Sequence, residues 1–275
     1  MKQWYMVIDV ATCQDCNSCL MACKDEHVDN EWPDYTEAQP RRGHYWIDVH
    51  RHERGQYPRI DVSFRPTPCQ HCEDAPCIKA GDGAVRRRKD GIVMIDPERA
   101  RGNQDLLTSC PYGAIFWNSE KKIAQKCTMC AHLLDSENWL PGVPRCVHNC
   151  PTGSLKMVNV EQAEMNKIVE AESLTVLRPE LRTKPHVFYK NLHLCEKNFI
   201  SAGVLIDEDC FEGATVTLKS HGTVCAMEAT NCFGDFKFDG LDNGEYVIEI
   251  DAGGITVSET VKIDNKSLNL GFIRL

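Results

Sequence analysis

Cys13, Cys16, Cys19 and Cys23 stand in "CQDCNSCLMAC", spaced by two, two and three residues. Thiolates repeated at this interval can wrap one face of an inorganic cube, because the intervening amides turn inward toward its sulfurs. The same spacing binds [4Fe–4S] clusters in two-cluster ferredoxins, where the fourth cysteine reaches the neighbouring cluster. A zinc site needs four ligands around one ion and usually shows two separated pairs, which this run lacks. A second run, "CQHCEDAPC", supplies Cys69, Cys72 and Cys77. A third set, "CTMC…CVHNCP", supplies Cys127, Cys130, Cys146 and Cys150. Taken alone, its two pairs also suit a zinc ribbon. Beside the first run, and closing on Cys150-Pro151, they fit iron–sulfur ligation better. Cys110 is the odd member. It closes "LLTSCPYG", yet residues Glu98 to Ser109 hold no cysteine to open a motif.

The chain has sixteen cysteines, and the four outside these sets, Cys195, Cys210, Cys225 and Cys232, show no ligand spacing. They are expected to be free, half-buried thiols packing as small apolar groups. Tight Cys-x-x-Cys spacing without an export signal argues against disulfides among the others. The start, "MKQWYMVIDVATC", lacks a basic–apolar–small leader, and Arg41-Arg42 lies too far in for a twin-arginine signal. A cytoplasmic location is the expectation, with export alongside a partner left open. A net charge of -9 gives no global field for nucleic acid. No apolar run is long enough to predict a transmembrane helix. No Ser-His-Asp set, phosphate loop or His-Glu-x-x-His motif appears, so bond chemistry is not expected on this chain.

The elements that must position these cysteines are short. At 275 residues, one or two domains are expected. Strands are predicted in "WYMVIDV", "HYWIDVH", "GIVMID", "AIFWN" and "LKMVNV". The cysteine-free stretch His27 to Pro68 reads as surface loops around a hairpin, with a candidate partner face. Residues 158–195 show no clear period and are expected to wrap a cluster core of residues 1–157. Together they make a first domain, 1–195. From about Ser201, apolar and polar residues alternate between turn signals such as "DNG" and "AGG". That predicts a second domain, 196–275, an antiparallel sandwich or barrel of about seven strands. Its inward set is Val216, Leu218, Phe236, Phe238, Tyr246, Ile248 and Ile250. The segment "EGATVTL…GDFKFDGLDNGEYVIEI" resembles small transthyretin-like, carboxypeptidase-regulatory-like or immunoglobulin-like β-domains, a likeness of fold that fixes no role. The overall class is α+β. "CPYGAIFWN" and "CPTGSLKMVN" echo one another, which suggests a duplicated ferredoxin-like unit.

Residues 1 to about 157 resemble the iron–sulfur electron-transfer subunits that accompany molybdopterin enzymes of the dimethyl sulfoxide reductase family. Those subunits carry four cysteine motifs whose ligands are shared, motif one with four and two with three. That resemblance implies one [4Fe–4S] cluster on Cys13, Cys16, Cys19 and Cys150. It implies a second on Cys127, Cys130, Cys146 and Cys23, and a third on Cys69, Cys72, Cys77 and Cys110. The family's fourth cluster would need ligands at Gly81, Ala100, Asn103 and Leu106, and none is a cysteine. All four losses fall on one cluster and leave no stray thiol. The implied partner is a large catalytic chain holding molybdenum and molybdopterin guanine dinucleotide. The implied job is single-electron transfer, nearest to members that move a hydroxyl between phenolic rings; a respiratory electron conduit is the alternative, and a cluster-stabilised binding scaffold a third reading. Two features keep two readings each. Arg86-Arg87-Arg88-Lys89 is either a dock for an acidic partner or a solvated hairpin. His71 either tunes a cluster by hydrogen bonding or is a partly exposed spacer.

Overall fold

The computed structural model describes residues 1–275, which divide into two compact units. The first comprises residues 1–51 and 64–192, the second residues 52–63 and 193–275. The main boundary thus falls three residues ahead of the expected one, and a short hairpin segment groups with the second unit.

The first unit begins with strand β1 (Gln3–Asp9) and helix α1 (Ser18–His27). A long hairpin follows, β2 (Ile47–Gln56) and β3 (Arg59–Pro68), as the cysteine-free stretch suggested. Next come α2 (Pro76–Ala80), β4 (Val85–Arg87), β5 (Val93–Ile95) and α3 (Asp105–Ser109). The unit continues through β6 (Phe116–Asn118), β7 (Ile123–Gln125), α4 (Ala131–Leu134) and α5 (Arg145–His148). It closes with β8 (Leu155–Val160), α6 (Gln162–Glu172) and β9 (Val187–Lys190). Strand β1 is the middle of a three-stranded sheet, antiparallel to β8 and parallel to β9. Tyr5 and Val7 face Met165 and Leu174, while Met6 and Ile8 on the opposite pleat are also fully buried. Elements β4–β5 and β6–β7 are separate short hairpins.

Residues 158–195, expected to wrap the cluster core, include a helix and a strand packed on β1. Strand β9 pairs with β1 in the three-stranded sheet, and helix α6 packs against it. Met165, Ile168 and Val169 repeat at helical spacing and cover β1, but a short stripe in an otherwise charged helix gives a weak period.

The second unit opens with α7 (His193–Glu196), β10 (Asn198–Ile206), β11 (Asp209–Cys210), β12 (Thr215–Ser220) and β13 (Thr223–Ala229). It ends with β14 (Asp235–Leu241), β15 (Gly244–Ala252), β16 (Ile255–Ile263) and β17 (Leu268–Arg274). One sheet runs β13-β12-β15-β16, and the other centres on β10 with β11, β14 and β17 around it. Every residue of the expected inward set is buried in the shared core. Two details differ from expectation. The domain's first strand starts at Asn198 because "NFISAGVLI" is buried nearly throughout and so does not alternate. The β10–β17 pair is parallel, so the fold is not wholly antiparallel. Strand order between the first and last strands leaves no trace in local alternation.

Candidate iron–sulfur sites

The opening Cys-x-x-Cys pairs of the three cysteine runs share one backbone device. Asp15, His71 and Met129 each precede the second cysteine, with φ of 53, 45 and 52°. A left-handed residue with a Cβ costs roughly 1–2 kcal/mol, so three such residues at equivalent places need a common reason. A left-handed turn curls successive N–H groups into a concavity that favours an anion, a device recurrent at iron–sulfur sites. Met129 N–H donates to Cys127 Sγ at 3.3 Å. Asp15 N–H does the same service for Cys13.

The two Cys-Pro-x-Gly echoes are also the same turn. Gly113 N–H donates to Cys110 O at 3.1 Å, and Gly153 N–H to Cys150 O at 3.4 Å. Both glycines have φ +67° with open space where a Cβ would sit, so the backbone conformation alone demands glycine. Burial pushes the Cys150 thiol up, but N–H groups of Leu155, Thr152 and Ser154 and the Thr152 hydroxyl outweigh it and hold its pKa below the ordinary value. Cys110 receives N–H groups from Ala114 and Tyr112, yet there burial wins and its pKa is raised.

Helix α1 carries Cys19 and Cys23 one turn apart on its buried face, and α5 beside it carries Cys146. The sulfurs fall into sets by which charges they feel. Cys19 feels Cys13, Cys16 and Cys150, and these four line one shallow pocket with Thr152 and Val49. Cys146 feels Cys130, Cys127 and Cys23, then Cys19 of the first group, which Cys23 also feels. Cys72 feels Cys69, Cys110 and Cys77. Cys127 also feels Cys69, so the last two sets adjoin. Burial pushes Cys19, Cys72 and Cys130 up to about 12, and Cys77 and Cys127 up to about 11. Without a cation these thiols stay protonated; bound iron would supply the positive charge that ionises them. No three His, Cys, Asp or Glu side chains lie close enough to grip a single ion. A lone zinc would hold its thiolates about 3.8 Å apart, as follows from a Zn–S bond of about 2.3 Å. A cube of iron and sulfide spreads its four thiolates wider, and the N–H-lined cysteine sets, buried or half-buried except at the exposed Cys16, suit that donor arrangement.

Of the four positions where the resemblance places a further cluster's ligands, Ala100 and Leu106 are core, and Asn103 is half-buried. Ala100 and Leu106 are fully buried, among Ala84, Val85, Val93, Ile95, Ile115 and Ala124. Asn103 turns its amide to Ala80 O at 3.3 Å. At Gly81 an added Cβ would lie 2.5 Å from Val85 Cγ2 and 2.8 Å from Val85 Cβ. A cysteine therefore does not fit there unless β4 shifts.

Several readings are corrected or settled. His71 is buried, and its Nδ1 accepts from Val93 N–H at 3.1 Å, which excludes the exposed spacer. Burial, then Lys126 and His186, holds its pKa well below the usual range, so it is neutral. In the basic run, Arg88 donates to both Asp90 and Asp135, and Arg87 pairs with Glu73, so two of its four charges are neutralised inside the chain as on a hairpin. Of the four remaining cysteines only Cys195 is half-buried; Cys210, Cys225 and Cys232 are exposed. They sit on a two-residue strand, an edge strand and a turn, where no second layer covers them. Sequence reasoning missed two neighbours of the thiols. His27 Nε2 lies 3.9 Å from Cys130 Sγ, and Lys126 is buried beside Cys127. Helical spacing from Cys19 and Cys23 would have flagged His27; nothing flagged burial of Lys126.

Residues 60–160 match the family described as "4Fe-4S dicluster domain". The pyrogallol hydroxytransferase small subunit of Pelobacter acidigallici is 59% identical over 275 residues, covering 100% of both chains. A tetrathionate reductase subunit of Salmonella typhimurium is 29% identical, covering 69% of this chain and 73% of that one. A putative dimethyl sulfoxide reductase iron–sulfur subunit of Halobacterium salinarum is 28% identical, covering 70% and 80%. Among solved structures, 5-hydroxyisourate hydrolase of Klebsiella pneumoniae covers 28% of this chain and 90% of its own at 19% identity, with a TM-score of 0.25, too low to assign the β-unit's fold. The chain belongs to the iron–sulfur electron-transfer subunits of the dimethyl sulfoxide reductase family of molybdenum enzymes, in the branch of the pyrogallol hydroxytransferase small subunit.

Proposed function

We propose that this chain carries three [4Fe–4S] clusters for a molybdopterin-bearing catalytic subunit that moves a hydroxyl between phenols, pyrogallol to phloroglucinol. The observation that carries the reading is the full-length identity to a pyrogallol hydroxytransferase small subunit, spanning both units. Cys13, Cys16, Cys19 and Cys150 hold one cluster; Cys23, Cys127, Cys130 and Cys146 a second; Cys69, Cys72, Cys77 and Cys110 a third. Bound clusters accept and give single electrons. The chain's own residues hold thiolates in place, aim N–H groups at them and keep water away, and these are what set potentials. Supporting a count of three is the filling of the fourth set of positions by Ala100 and Leu106.

In this reading the first unit is a duplicated ferredoxin-like core, with the paired Cys-Pro-x-Gly turns as equivalent halves. The second is a small transthyretin-like sandwich. The catalytic chain supplies molybdenum and molybdopterin guanine dinucleotide, and the complex works as a heterodimer in the cytoplasm. Hydroxyl transfer between rings is redox-neutral overall, so the clusters poise the metal rather than export electrons. The test is steady-state conversion of pyrogallol by the purified complex with no external electron acceptor. Sustained turnover is expected. Turnover only with an added acceptor, reduced in proportion to substrate, would instead make the chain a respiratory conduit, as the reductase subunits among its relatives suggest by name.

A further inference from the structure

Lys126 is 3% exposed, and its ammonium bonds only to backbone carbonyls, Val93 O at 2.5 Å and Cys127 O at 3.0 Å. No carboxylate pairs with it. An ammonium brings three donors, so one N–H is not taken up by those two carbonyls. Burying a cation without a counter-charge is expensive, and proteins usually supply an acidic partner. Here the surroundings offer thiols instead. Lys126 directly precedes Cys127. Its acceptor Val93 also donates N–H to His71, which lies between Cys69 and Cys72. The ammonium therefore ties β5 to the "CTMC" loop, and through Val93 to the "CQHC" loop. Its charge favours the ionised forms of Cys77 and Cys110 on one side and Cys127 on the other.

We propose that Lys126 is the built-in counter-charge of two clusters, those on Cys69, Cys72, Cys77, Cys110 and on Cys23, Cys127, Cys130, Cys146, and that it raises the reduction potentials of both. This rests on the ligand sets proposed above. A cubane with four thiolates is net negative, and one electron makes it more so. A fixed cation nearby therefore stabilises the reduced form more than the oxidised one. Each cluster takes up one electron. Within the second set only Cys127 feels this charge among its principal influences, while Cys13, Cys19 and Cys150 of the first set do not feel it. Their cluster is the internal reference. Electrons would then rest on the two interior clusters in preference to what their burial alone allows.

The test is an EPR-monitored dithionite titration of the isolated complex, wild type against Lys126→Met, Lys126→Gln and Lys126→Arg. In the Met and Gln variants the reduced-to-oxidised ratio of two clusters at fixed potential should fall at least tenfold, about 59 mV for a one-electron couple. The third cluster should not move, and Arg should restore most of the loss. Iron lost in the Met and Gln variants but kept with Arg would also support a need for the charge. Unmoved potentials with full iron content, or an equal shift in all three clusters, would overturn the inference. So would loss of iron in all three variants, which would make Lys126 a matter of shape. A wild-type chain without about twelve iron atoms would take down the ligand sets themselves, a failure visible before any variant is made.

Discussion

Leu106→Ala probes the claim that the fourth cluster's place has become ordinary core. Leu106 is fully buried, and its packing partners include Ala84, Ala100 and Ala124, whose side chains are too short to move into a gap. The same core holds Val85, Val93, Ile95 and Ile115, in or beside short strands, together with Cys72, Ala75 and Cys77. Little relaxation is available, so the loss should sit within the range for poorly collapsing Leu→Ala sites, about 3–4 kcal/mol. At about 2–4 °C per kcal/mol for a unit of this size, the apparent transition should fall by about 10 °C. The assay is a thermal scan of the purified chain, followed by far-UV dichroism and by visible cluster absorption. Unfolding of a cluster protein is irreversible, so transitions are compared at one scan rate. Iron content of the folded variant should be unchanged. A cost below about 1 kcal/mol, outside the range of filled core positions, would refute the packing argument. The reverse experiment is Gly81→Cys, Ala100→Cys, Asn103→Cys and Leu106→Cys together. It should return no fourth cluster, because the Cβ at position 81 collides with Val85; a gain of about four iron atoms would contradict that.

Cys110→Ser should remove the cluster shared with Cys69, Cys72 and Cys77 while sparing the others, lowering iron by about four atoms per chain; intact spectra would show that the ligand sharing is wrong. Gly113→Ala and Gly153→Ala force a Cβ into φ +67° and should each cost about 1–2 kcal/mol, read as faster cluster loss under chelator. Equal loss rates in variants and wild type would remove the backbone argument. In the second unit, burial raises the Asp239 carboxyl but Arg54, Lys237 and Gly240 N–H outweigh it, setting its pKa at about 2 against 3.8. A depressed carboxylate stabilises above the unfolded value and loses that contribution as pH falls through the folded one. Asp239 should therefore contribute about 2 kcal/mol at neutral pH, lost between about pH 4 and pH 2. Asp239→Asn should flatten urea midpoints across that window; an unchanged slope would refute the assignment.

The cysteine motifs were legible because ligand spacing is a local property, whereas which cysteine completes which set was implied only by the family resemblance. Cys13, Cys16 and Cys19 need no tertiary information to be grouped, and the Cys-Pro-x-Gly echo survives as two turns with identical glycine φ. The inward face of the β-unit was legible for the same reason, since alternation puts Val216 and Leu218 on one side. What sequence hid was set by long-range packing. Strand β10 is buried on both faces and shows no period, and its parallel partner β17 lies some seventy residues away in the chain. Lys126 reads as a surface lysine until β5 and the "CTMC" loop close over it. The left-handed residues Asp15, His71 and Met129 carry no glycine to announce them.

Three cubanes on twelve named cysteines can be counted. Iron and acid-labile sulfide per chain, with spin quantification of the dithionite-reduced protein, give that count. Three complete ligand sets require about twelve iron and about twelve sulfide, four of each per cluster, and three reducible centres. About sixteen iron atoms would restore a fourth cluster, about eight would break one ligand set, and zinc in place of iron would contradict the reading outright.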